Sequence, residues 1–291
     1  MSDCCGQSEQ ELGELLLNGL NEQGFLFQEA CRDALHNRQD IGWDMRSYEY
    51  PVSLAEQDTR IDIVLRSKSA SPPEIYAIVE CKRADPNYVH WLFGAPGLPS
   101  GSALCSTIQI ECRETKTSRA EFSTDLSQLP LCIEVYPASS WIEVKKGTGQ
   151  RASTPQNIEN AFCQVLRGLE GFAHEQLVQR YKSPVPFRTS FIPVVVTTAS
   201  LYVAYYEARD VDLCTGKIEA GKVLFGPRGR SPEPVEWVLI DYGAGQTVAP
   251  NSVPTTFSSP DPADLQKYKT RSIFVVNARS LPAFFSKLCL T

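Results

Sequence analysis

The sequence predicts an α/β fold built on a mixed central sheet flanked by helices. Three observations carry this expectation. Residues 61–65 and 75–81 are two short, β-branched apolar runs joined by a polar stretch with Pro72 and Pro73, the pattern of an antiparallel hairpin. Ile158, Ala161, Phe162, Val165, Leu166 and Leu169 recur at helical spacing. Residues 191–197 then form an unbroken apolar run, as expected of a strand covered on both faces and parallel to its neighbour after a helical crossover. A hairpin gives antiparallel pairing and a crossover gives parallel pairing, so the sheet is mixed.

The other elements follow in order. Leu12, Leu15, Leu16 and Leu20 fall at helical spacing over 9–20. The segment 21–24, ending in Gly24, breaks that helix, and a second runs over 25–36 with Phe27, Cys31, Ala34 and Leu35 as its apolar face. Trp43, Tyr48, Tyr50 and Val52 mark a strand within 41–54. After the hairpin, 89–93 is a short apolar piece, and strands are expected at 107–112, 131–136 and 141–145. Thr154 and Pro155 open the crossover helix, with Pro in its first turn. Strands over 201–206, 235–241 and 272–276 and a short amphipathic helix over 281–288 complete the chain.

Charges inside the hairpin suggest chemistry. Asp62 lies within the first apolar run, and Glu80 and Lys82 close the second. Residues two apart on a strand share a face, so Glu80 and Lys82 point the same way, and strand pairing can bring Asp62 beside them. Two carboxylates offer hard oxygen ligands to Mg²⁺ or Mn²⁺, with the backbone carbonyl of Cys81 as a further oxygen. Such a cation polarises a phosphoryl oxygen and lowers the pKa of a bound water. A lysine there can orient that water or stabilise transition-state charge. The plainer alternative is a strand-end ion pair between Glu80 and Lys82 with Asp62 turned to solvent. Asp58 is a second acid nearby, in a turn setting that favours capping.

Asp62, a hairpin, then Glu80-Cys81-Lys82 resembles the PD-(D/E)XK nuclease superfamily, the restriction-endonuclease-like fold with an αβββαβ core. The likeness covers roughly residues 10–82 and 155–206, and it departs from the family name in having Ile61 where the Pro would stand. The resemblance implies a Mg²⁺- or Mn²⁺-dependent endonuclease hydrolysing phosphodiester bonds, with DNA the favoured substrate and bacterial defence or restriction the setting. It implies metal ligation by Asp62, Glu80 and the Cys81 carbonyl, with Lys82 as the catalytic lysine. An acid on the second helix reaches the metal through water in such proteins. Glu29 is the candidate, although the helix register allows Gln28 instead. A Gln on the crossover helix helps place the water, which points to Gln164. The contrasting expectation is a catalytically silent nucleic-acid-binding or interaction module of the same fold.

Organisation and composition add bounds. The chain of 291 residues is expected to be a single domain, with an insertion at about 93–153 folded onto the core and a β-rich C-terminal extension over about 207–291. Net charge is −6, which argues against coating nucleic acid by charge alone but leaves room for a local basic groove. Arg83, Lys116, Arg119, Lys145, Lys146 and Arg151 are candidate phosphate contacts, 226–230 is a basic tip, and Tyr202 and Tyr205 are candidate base-stacking residues. No run is long enough for a membrane span. Ten scattered cysteines without CxxC pairs and the lack of a secretion-type N-terminus predict the reducing cytoplasm. The resemblance also makes a partner protein in a defence system an expectation. A homodimer is expected if double-strand breaks are made, since these need two sites.

Overall fold

The structure is a computed structural model. It describes residues 9–22, 24–36, 38, 40–54, 57–69, 73–97, 104–114, 120–130, 133–147, 156–181, 187–226, 229, 231–243 and 270–288. Lys116, Arg119, Arg151, the Thr154-Pro155 helix start and part of the 226–230 tip lie outside the described residues.

Helices α1 (Glu9–Glu22) and α2 (Phe25–His36) precede strands β1 (Trp43–Leu54), β2 (Gln57–Ser67) and β3 (Glu74–Lys82). Strands β4 (His90–Pro96), β5 (Leu104–Glu114), β6 (Ala120–Pro130), β7 (Pro137–Ala138) and β8 (Ser140–Val144) lead to the long helix α3 (Gln156–Tyr181). Strands β9 (Phe187–Thr197), β10 (Ser200–Tyr206), β11 (Leu224–Phe225), β12 (Trp237–Gly243) and β13 (Thr270–Asn277) follow, and helix α4 (Leu281–Lys287) comes last.

The main sheet runs β1-β2-β3-β9-β13-β12-β7, with β5 also paired to β9 and β6 to β5. β1, β2 and β3 are antiparallel in turn, whereas β3 and β9 are parallel, as are β9 and β13. The sheet is therefore mixed, and the α3 crossover joins its parallel strands β3 and β9. A smaller sheet has the order β11-β10-β4-β8.

Two apolar layers sandwich the main sheet. On one face Ile158, Phe162, Val165, Leu166 and Leu169 of α3 pack with Val64, Ile78, Phe191 and the inner residues of the small sheet. On the other, Cys31 and Leu35 of α2 and Phe284 and Phe285 of α4 pack with Ile63, Val79, Val194 and Phe274. Strand β9 is buried from Thr189 through Thr197, which is why its sequence is apolar at consecutive positions.

Some expectations are revised. Of the strand expected at 131–136, residues 131–132 lie outside the described residues and residues 133–136 carry no strand. Ile133 and Val135 are buried without ladder pairing, because apolar alternation reports burial and not pairing. The leucines of α1 (Leu12, Leu15, Leu16, Leu17 and Leu20) are exposed and join neither core. The boundary at about residue 93 falls inside β4, and the segment that follows supplies β5 and β6 to the main sheet and β8 to the small one. No helix among the described residues is long and apolar enough to cross a membrane.

Helix α3 lies close on the sheet through glycine. A Cβ at Gly171 would stand 2.9 Å from Val52 Cβ, and one at Gly168 would stand 2.8 Å from Ile61 Cγ1. Both neighbours are β-branched strand residues with little freedom to move. Gly171→Val should therefore destabilise the fold by about 1–3 kcal/mol through overpacking, the gain in helix propensity being smaller. A urea melt checks this, and an unchanged midpoint would mean that α3 is not seated on β1.

Candidate functional site

The site begins with a flaw in the β1–β2 ladder. Tyr48 pairs with Ile63 and Tyr50 with Ile61, so each pair of residues should share a face. Each pair does, but on opposite sides, although residues two apart on a strand should lie on one face: Tyr48 and Ile63 pack in the α2/α4 layer, while Tyr50 and Ile61 pack in the α3 layer. Between them Glu49 has φ 48°, a left-handed conformation that a non-glycine residue adopts only under local constraint. The strand pair thus exchanges faces at Glu49 and Asp62, and Asp62 stands at the crossing.

The last β2–β3 ladder pair is Ile63 with Val79. Beyond it the Asp62 carboxylate continues the pairing, accepting the Cys81 backbone N–H at 2.6 Å. Its other oxygen accepts from the Gln28 side-chain amide on α2. Glu80 and Lys82 lie on the same side of β3 as Ile78, toward α3. The Lys82 amine donates to the Gln164 side-chain oxygen at 3.0 Å and forms no direct ion pair with either acid. The alternative of a direct Glu80–Lys82 ion pair with a solvent-facing Asp62 is therefore not met, and Asp62 is buried.

A cavity of about 550 Å³ opens here, bounded by Phe25 and Gln28 of α2, Arg60 and Asp62 of β2, Glu80 to Lys82 of β3, Arg83 to Pro86 beyond it, and Asn157 and Gln164 of α3. Both helical layers meet the sheet at this strand end. Glu29 is not brought to the cavity. Its carboxylate accepts the Tyr48 hydroxyl at 2.9 Å and pairs with Arg32, because one residue along a helix turns the side chain by about 100°. Gln28 takes the place considered for it. Cys81 contributes its backbone N–H to Asp62, while its thiol lies in the opposite layer against Cys31. Arg83 borders the cavity, and Asp58 instead accepts the Ser53 hydroxyl. Tyr205 is buried within the core, whereas Tyr202 is half-buried.

Sequence reasoning missed Glu143. This β8 acid is 1% exposed. One oxygen accepts the backbone N–H groups of Asn157 and Ile158, at 2.8 and 3.2 Å, and the other accepts the Asn157 side-chain amide at 3.3 Å. It caps α3 from another element and complements the positive end of the helix, fixing Asn157 and Gln164 at the cavity wall. The available signal was the one that exposed Asp62, an acid inside an apolar strand.

Burial dominates the electrostatics. Asp62 and Glu80 are 6% and 7% exposed. Burial pushes Asp62 up to about 6 against the opposing hydrogen bonds from Cys81 and Gln28. Burial, and then the charge of Asp62, push Glu80 up to about 8. No described residue donates a hydrogen bond to Glu80, so its charged form has little local support. A hard divalent cation would supply that support, and two adjacent carboxylate oxygens suit one. Among the described residues no group of three or more His, Cys, Asp or Glu side chains surrounds a common point. Such a cation would therefore take its other ligands from backbone, water or substrate, as Mg²⁺ commonly does.

These shifts fix a sign. Both acids have folded values above their unfolded ones, so between about 4 and 8 the folded chain holds more protons than the unfolded chain. Without divalent cations, stability should fall as pH rises through that window, and Glu80→Gln should remove much of the slope and stabilise the chain at pH 8. Thermal melts in chelator from pH 5 to 8.5 read this out. A stability that rises with pH in the parent chain and is untouched by Glu80→Gln would contradict the burial of this pair.

Comparison of the chain with protein families, with characterised proteins and with solved structures finds no match.

Proposed function

We propose that the chain is a Mg²⁺- or Mn²⁺-dependent nuclease that hydrolyses phosphodiester bonds, with DNA as the favoured substrate. One observation carries this reading: two buried carboxylates, Asp62 and Glu80, share a cavity with a lysine that neither of them neutralises by direct pairing. An arrangement serving stability alone would pair Lys82 with an acid. Here the charged groups are kept apart and open to a ligand. The order β1-β2-β3-β9 with the α3 crossover also supports the resemblance to the restriction-endonuclease-like core.

In this reading Asp62 and Glu80 hold the cation. When bound it supplies charge neutralisation at the phosphoryl group and a water of lowered pKa. Cys81 N–H and Gln28 hold Asp62 in place and favour its ionised form. Gln164 holds the Lys82 amine over the cavity. From there the amine can orient the attacking water and stabilise charge on the phosphoryl oxygens. Glu143, by capping α3, keeps Gln164 at the required height. Arg60 and Arg83 flank the cavity as cations for the neighbouring phosphates. The defence setting and a partner protein remain part of the proposal, carried by the resemblance.

A second reading, a catalytically silent nucleic-acid-binding module, draws on the hydrogen bonds already made to both Asp62 oxygens. The two readings part on cleavage. Lys82→Ala should reduce Mg²⁺-dependent cleavage at least about a hundredfold at every metal concentration while leaving metal binding intact. Asp62→Asn and Glu80→Gln should weaken Mg²⁺ binding and recover in part with excess Mn²⁺. Steady-state cleavage of labelled oligonucleotides across a metal titration separates the two classes. A folded Lys82→Ala chain that cleaves as fast as the parent ends the nuclease reading.

A further inference from the structure

Phe25 is placed unlike Phe27, the other phenylalanine of α2. It occupies the first position of the helix and is 44% exposed. Phe27, about 200° further round the helix, turns into the α2/α4 layer. Phe25 instead borders the cavity. Gln28 lies one turn on, on the same side of the helix as Phe25, and its amide holds Asp62. The helix rise sets the backbone of Phe25 about 4.5 Å from that of Gln28, the residue that touches Asp62. Arg60, exposed and 3.8 Å from Glu49, borders the same cavity.

A large apolar ring at the mouth of a polar cavity has a specific use. Nucleobases present flat faces to an aromatic side chain, and such stacking is tolerant of sequence. Inside a duplex each base is already stacked on both faces, so its π-face is not available. A base that can lie on Phe25 is therefore unpaired. Resting on the nuclease reading, we propose that Phe25 stacks an unpaired base next to the phosphate held at Asp62 and Glu80, so that the chain's substrate is single-stranded nucleic acid or a frayed end. Phe25 is a positioning residue: it holds the strand in register and touches no reacting atom.

The test uses the full chain with Ca²⁺ in place of Mg²⁺, so that binding is read without turnover. A single-stranded oligonucleotide carrying 2-aminopurine reports stacking by fluorescence quenching, and the same probe buried within a duplex is the control. The parent chain should bind the single strand more tightly than the duplex and quench its probe. Phe25→Ala should weaken single-strand binding about tenfold and abolish the added quenching. Phe25→Leu, which keeps apolar bulk without a π-face, should also lose the quenching, while Phe25→Trp should retain it. Since the side chain is exposed, the thermal midpoint should not move. Should the Ala variant prove unstable, the Leu and Trp pair gives the answer. Single-strand affinity and quenching in the Phe25→Ala and Phe25→Leu chains that match those of the parent overturn the stacking proposal, even with Mg²⁺-dependent cleavage intact. Failure of the parent to bind any oligonucleotide overturns the nuclease reading and the stacking with it.

Discussion

The arrangement depends on one hydrogen bond, from the Cys81 backbone N–H to the Asp62 carboxylate. The β2–β3 ladder ends at Ile63 and Val79, and a buried N–H beyond its end would otherwise lack a partner, which is costly. The Asp62 side chain fills that place. It can do so because Glu49, in a left-handed conformation, turns β1 and β2 over at this point. A regular ladder would send Asp62 to one face of the sheet. The flaw sets it at the strand end, where α2 and α3 approach from opposite faces.

This placement imposes an electrostatic cost that the described protein does not fully offset. Asp62 has two donors, but Glu80 has none among the described residues, and the charge of Asp62 adds to burial in raising the proton affinity of Glu80. Lys82 lowers that affinity through its charge, yet Gln164 holds its amine away from direct pairing. A buried carboxylate without a donor breaks the local rule of polar satisfaction, and such breaks concentrate at functional sites. The rigidity around the site comes from the same sandwich. β3 and β9 are buried on both faces, α3 is seated by Gly168 and Gly171, and Glu143 caps its first turn.

Much of the main sheet was legible because its signals are local. The apolar runs of β3 and β9, the periodicity of α3 and the polar turn between β2 and β3 each follow from burial and turn chemistry. Asp62, Glu80, Lys82 and Gln164 were legible as acids, an amine and an amide in apolar elements, and the structure gathers them round one cavity. Glu29 was less accessible to such reasoning. Helix phase relative to a sheet is set by tertiary packing, and it brings Gln28 to the cavity and turns Glu29 to Tyr48. Glu143 was visible as an acid inside an apolar strand, but its partners on α3, and the pairing of β5, β6 and β8 into two sheets, depend on contacts distant in sequence, which no window of residues records. The apolar alternation at 131–136 misled for the opposite reason, since burial without pairing leaves the same trace as a strand.

The central claim is that Asp62 and Glu80 together hold one divalent cation. Titration of the chain with Mn²⁺, followed by the loss of the free-ion electron paramagnetic resonance signal, measures this without reference to catalysis or substrate. The account predicts one ion per chain, with that site lost in the Asp62→Asn, Glu80→Gln double variant. Absence of bound Mn²⁺ in the parent, or binding that survives unchanged in the double variant, would contradict it.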